Sequence, residues 1–116
     1  TASGTMTFTV EAADVATYNY MVNGKTMSIN VRLQGATVGG TLSTGLRIAI
    51  PASKVSAKLV QGVCAIYQSS WVIASFSIPS GGTYIEAYAV PAIGATNWAA
   101  STNDTYINLN ATFEIQ

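Results

Sequence analysis

The stretch TYNYMVNGKTMSINVRLQ, residues 17–34, decides the fold. In its second half Met27, Ile29, Val31 and Leu33 fall on one side, and Thr26, Ser28, Asn30, Arg32 and Gln34 on the other. A period of two with one apolar face is the pattern of a half-buried extended strand. Upstream lies the strand-forming run Thr17 to Val22, and between the two sits Asn23-Gly24. Both of these residues tolerate positive φ, so the pair predicts a type I′ turn and a β-hairpin over residues 17–34.

The same period continues outward to both ends. At the C-terminus Ile107, Leu109, Ala111, Phe113 and Ile115 alternate with Tyr106, Asn108, Asn110, Thr112 and Glu114, which predicts one long strand. Shorter strands are expected at Thr5 to Val10, Leu46 to Ile50, Ala57 to Tyr67, Trp71 to Ile78 and Thr83 to Val90. Gly39-Gly40, Pro51, Ser69-Ser70, Pro79 to Gly82 and Pro91 to Asp104 separate them. Helical spacing is confined to short turns around Glu11 to Ala16 and Ala52 to Ala57. The expected fold is therefore all-β: one antiparallel, jelly-roll-like β-sandwich of seven or eight strands over residues 1–116.

Two of these strands are apolar on both faces. In Lys58 to Tyr67, Leu59, Val63, Ala65 and Tyr67 oppose Val60, Cys64 and Ile66, and Trp71 to Ile78 behaves likewise. Such strands call for cover on both sides. Charged residues are 9% of the chain, against roughly 25% in an average soluble domain. Together these features lead us to expect a homo-oligomer, with Trp71 in the core or at the interface. The alternative is that the extra apolar groups simply lie at the surface, as many do.

Several function classes find no support. Five Lys/Arg balance five Asp/Glu, and no concentrated basic patch exists for nucleic acid. No run approaches the ~18 to 20 apolar residues of a spanning helix, so membrane insertion is not expected. No basic and apolar leader opens the chain, and its first residue is Thr1, so a fragment cut from a longer protein or a processed product is the expectation. The chain has no histidine and a single cysteine, Cys64. That removes His-dependent triads, most zinc and copper sites, thiolate clusters and intrachain disulfides. Glu11, Asp14, Glu86, Asp104 and Glu114 fall in no telling motif, although Glu86, between Tyr84 and Tyr88, belongs either in a cleft or in a pair. No enzyme, cofactor or metal is expected.

What remains is a binding surface. Residues 91–104 form a long connection for a small β domain, and long loops in compact domains are often functional. It carries Asn97, Trp98, Asn103 and Asp104, which together offer a flat apolar face and directional polar groups, as a sugar requires. These four are the candidate ligand-binding residues. The other placement for Trp98 is as a plug closing the end of the sandwich.

The order Tyr18-x-Tyr20-x-Val22-Asn23-Gly24-Lys25, an alternating strand to Gly35, a Gly/Thr-rich connection and then Leu46-x-Ile48-x-Ile50-Pro51 resembles a recurring C-terminal module of tailed-phage tail fibres and tailspikes. The resemblance covers residues 16–51. It implies a homotrimeric β-sandwich or jelly roll at the distal tip of a virion fibre, acting outside the cell on surface carbohydrate or protein. It implies no catalytic residue, since catalysis in tailspikes usually resides upstream. A trimerisation or virion decoration module without a ligand is the other reading.

Overall fold

The computed structural model describes residues 6–91 and 96–116. Eight strands run β1 (Met6–Thr9), β2 (Val15–Asn23), β3 (Thr26–Gly40), β4 (Gly45–Ala49), β5 (Val60–Tyr67), β6 (Trp71–Ile78), β7 (Tyr84–Tyr88) and β8 (Ser101–Glu114). Helical structure among the described residues is limited to 3₁₀ turns at Ala12–Asp14 and Pro51–Ser53. The pairings are antiparallel and nest: β3 with β8 encloses β4 with β7, which encloses β5 with β6. Closing β8 onto β5 and β6 onto β7 gives the order β1-β3-β8-β5-β6-β7-β4, with β2 also on β3. This nested hairpin, rolled up on itself, is the jelly-roll pattern.

Alternation puts one face of each strand inside. Met27, Ile29, Val31 and Leu33 of β3 meet Ile107, Leu109, Ala111 and Phe113 of β8, and all are buried. Leu46 and Ile48 of β4, Cys64 and Ile66 of β5, Ala74, Phe76 and Ile78 of β6 and Ile85 and Ala87 of β7 complete the same core. The Cys64 thiol is inside it, and burial pushes its pKa up to about 11.

Three local readings are corrected. In the β2–β3 hairpin Asn23 pairs with Thr26, so the two-residue loop is Gly24-Lys25, with Gly24 alone at positive φ (62°). That is the glycine-first requirement of a type II′ turn. β3 does not end at Gln34: Gly35 takes φ 77°, the β3–β8 register shifts there, and the strand resumes inward with Ala36 and Val38. A bulge of this kind lets a strand bend without losing its inward face. Likewise β8 begins at Ser101, so Asn103 and Asp104 belong to a strand rather than to a loop.

The rolled sheet brings its two ends together. The Tyr18 hydroxyl on β2 donates to the Ala49 carbonyl on β4. Beneath this join lies a mainly apolar cleft of ≈ 350 Å³ lined by Phe8, Val10, Val15, Leu33 and Ile48 among others. β2 is the outlying strand: Tyr18, Tyr20 and Val22 share the inward face with their β3 partners yet stay 38–47% exposed.

Candidate functional site

The segment entering β8 is fixed by two anchors. Trp98 is fully buried, its backbone N–H donates to the Ser43 carbonyl at 2.9 Å, and its indole Nε1–H donates to the Ala87 carbonyl at 3.3 Å. It therefore plugs the core and presents no face to a ligand, because an indole of this size is stabilised more by burial than by contact with water. Next to it, Gln68 in the β5–β6 turn clamps residue 99. The Ala99 N–H donates to Gln68 Oε1 at 2.9 Å, and Gln68 Nε2 donates to the Ala99 carbonyl at 2.7 Å and to Thr105 Oγ1 at 3.0 Å.

The other sequence candidates separate. Asn97 is exposed. Asn103 is used in the fold: at φ 53° its N–H donates to Thr37 Oγ1 at 2.9 Å, and the Thr37 hydroxyl donates to Asn103 Oδ1 at 3.3 Å. This side chain holds the β3–β8 irregularity, where Asn tolerates the left-handed conformation better than most residues. Asp104 is exposed on the outer face of β8, two positions from Tyr106.

Asp104 does have companions, and they are aromatic. Register pairs Tyr67 with Trp71 across the β5–β6 hairpin and Tyr67 with Tyr106 across β5–β8, so three rings form one cross-strand row. Ring centroids lie 5.6 Å apart for Tyr67–Trp71, 5.3 Å for Tyr67–Tyr106 and 6.1 Å for Trp71–Tyr106, all tilted or edge-on. Such geometry matches the ring quadrupoles and stabilises the cluster. Trp71 remains 53% exposed, so it stands on the outer face and not in the core.

Asp104, Tyr67, Trp71 and Tyr106 line a hollow of ≈ 240 Å³. Asp104 also lines a neighbouring hollow of ≈ 260 Å³, with Gln68, Ser101 and Thr102. The result is a groove with aromatic rings at one end, hydroxyl and amide groups at the other, and a carboxylate between. Rings pack against the C–H face of a sugar, and the carboxylate accepts from its hydroxyls. The cleft at the sheet join is mainly apolar: its Tyr18 hydroxyl bonds the Ala49 carbonyl, and its one charged residue, Arg47, pairs with Glu86.

Other carboxylates are engaged elsewhere. Glu86 pairs with Arg47 at 3.7 Å, and Arg47 lies 4.4 Å from the Tyr84 ring centroid. Burial raises the Tyr88 hydroxyl pKa, and the neighbouring Glu86 adds to the rise. Glu114 pairs with Lys58 at 3.3 Å, and Asp14 accepts from the Glu11 N–H at 2.8 Å. Among the described residues no group of three or more His, Cys, Asp or Glu is placed to hold a metal.

Sequence reading missed the aromatic row because it searched the long loop. Two of its three rings were legible: Tyr67 and Trp71 flank the turn Gln68-Ser69-Ser70, which puts them opposite one another in any hairpin closed there. Tyr106 joins only through the β5–β8 pairing, and no local pattern encodes that. No family model, curated protein or solved structure matches this chain.

Proposed function

We propose that this chain is a non-catalytic recognition domain that binds cell-surface carbohydrate through the Tyr67–Trp71–Tyr106 row and Asp104, as a homotrimeric tip module of a phage tail fibre or tailspike. The observation that carries the binding role is the aromatic row itself. Three rings are held on an outer sheet face, one of them half exposed, beside a carboxylate that makes no ion pair among the described residues. Large aromatics at the surface normally mark a recognition site when they cluster. The fibre setting rests on the resemblance of residues 16–51, and the non-catalytic role is supported by the engagement of Glu86, Glu114 and Asp14 in other contacts.

Assembly is supported by the surface beside the row. Leu59, Val63 and Ile73 are 61%, 67% and 62% exposed. No charged residue occurs between Lys58 and Glu86. The second apolar face expected from the sequence is thus present and uncovered in the single chain, as a face meeting other copies would be. Individually weak sugar sites on a trimer gain about 10² to 10⁴ in apparent affinity when several engage together.

Two measurements test this reading. On a glycan array, Trp71→Ala is expected to lose binding by about tenfold or more, while Asn97→Ala keeps it. Equal binding by Trp71→Ala and wild type would remove the aromatic row from the site. In light scattering at tens of micromolar the chain is expected as a trimer and Ile73→Lys as a monomer. A monomeric wild type would overturn the assembly part.

A further inference from the structure

We infer that the sugar this face selects carries an anionic group, which Arg32 receives through the row of side chains next to the aromatic one; this rests on the carbohydrate-binding reading above. Register places Thr17, Arg32, Asn108, Ala65 and Ile73 in one line across β2, β3, β8, β5 and β6. The Tyr106–Tyr67–Trp71 row lies two residues along the strands on the same face. Two residues of strand span roughly 6.8 Å and neighbouring strands lie about 4.8 Å apart, so the Arg32 and Tyr106 backbones are about 8 Å from each other. An arginine side chain crosses much of that distance, and the span is that of one sugar ring and its substituent.

Two observations single out this line. Arg32 is exposed, and the ion pairs among the described residues are Arg47–Glu86 and Lys58–Glu114, neither of which uses it. It is the one cation on the outer faces of β3, β8, β5 and β6, where Ser28, Asn30, Gln34, Asn110 and Thr112 are its polar neighbours. Beside it Asn108 Oδ1 is out of contact with solvent and has no hydrogen-bond partner. An unmet acceptor of this kind is costly to leave unpaired, and a sugar hydroxyl that draws the amide round meets it. The planar guanidinium fork matches a carboxylate, sulfate or phosphate edge-on. Asp104, on the far side of the aromatic row, takes hydroxyls, so the two charges orient the ring between them.

The chain has a formal net charge of zero, so a preference for anionic glycans cannot come from bulk attraction. The test is an array of neutral, carboxylated, sulfated and phosphorylated oligosaccharides probed with the full chain. Binding is expected on anionic members, with the array separating which anion is preferred. Arg32→Gln should weaken it about tenfold or more, Arg32→Lys less, and Lys54→Gln, which removes the same charge elsewhere, not at all. Equal binding to neutral and anionic members, or equal effects of Arg32→Gln and Lys54→Gln, would overturn the assignment. Neutral glycans bound by wild type and lost in Trp71→Ala would overturn it while leaving the carbohydrate reading intact. An array with no binding would overturn both.

Discussion

Replacing Trp98 by alanine separates its two possible roles, core plug and ligand platform. The side chain has no exposed surface. An indole buries up to about 250 Å², which at about 25 cal/mol per Å² is roughly 6 kcal/mol as an upper limit. What alanine keeps, and what a compact unfolded chain already buries, bring the loss to about 3–5 kcal/mol, the usual range for truncating a core aromatic. The Ala87 carbonyl also loses the indole N–H that meets it at 3.3 Å. Against a total stability of about 5–15 kcal/mol, a loss near 4 kcal/mol lowers the melting temperature by roughly 12–20 °C in a domain of this size. Thermal and urea unfolding followed by circular dichroism measure it, with Trp98→Phe expected to fall in between. An alanine variant melting within about 3 °C of wild type would show that Trp98 is not a core residue, and the seating of the segment before β8 against Ser43 and Ala87 would fall with it.

Two further predictions concern β5. A Cβ on Gly62 would stand 2.6 Å from Phe76 Cζ and 2.7 Å from Cε1, and Phe76 is buried, so Gly62→Ala is expected to cost about 1–3 kcal/mol by overpacking. Unchanged stability in urea would mean that the ring does not lie over the glycine. For Cys64, whose thiol is pushed up to about 11 from an ordinary 9.0, the folded state prefers the protonated form. Its contribution is present in full below the unfolded pKa and is lost as pH rises from about 9 to 11. Wild type should lose on the order of 2 kcal/mol more than Cys64→Ala across that window, and parallel pH profiles would contradict this. At pH 8 the native thiol should also resist a disulfide reagent that labels it at once in urea.

The architecture was legible because it rests on local chemistry. Met27, Ile29, Val31 and Leu33 could face only one way, and the apolar residues from Ile107 to Ile115 repeat the rule. The expected strands fall where β1, the two strands of the β2–β3 hairpin, β4, β5, β6, β7 and β8 lie, with ends shifted by a few residues. The turn was misplaced by one residue because Asn-Gly and Gly-Lys both suit a two-residue loop, and cross-strand register chose between them. The ends of β3 and β8 were cut short because Gly35 and Asn103 look like turn residues, whereas they hold a bulge inside a paired ladder.

The site was less legible, for a related reason. A tryptophan among Asn, Ser and Thr looks exposed in sequence, but the backbone of residue 98 is tied to Ser43, a partner 55 positions away. Trp71, at the start of an apolar strand, looks buried, yet its parity with Tyr67 puts it outside. Of the four loop candidates only Asp104 lies in the groove with the aromatic rings. Arg32 was visible as the polar-face cation of the deciding hairpin. Its nearness to Tyr106 depends on β3 lying beside β8 and is absent from any local window.

The most direct test of the central claim uses the two tryptophans as reporters. Trp98 is fully buried and Trp71 is 53% exposed, so acrylamide should quench Trp71 and spare Trp98. With the glycan giving the strongest array signal at saturation, the quenchable component should become protected and its emission should shift to shorter wavelength. Trp71→Phe should abolish the change. A bound glycan that leaves Trp71 as quenchable as before would place the binding site away from the aromatic row.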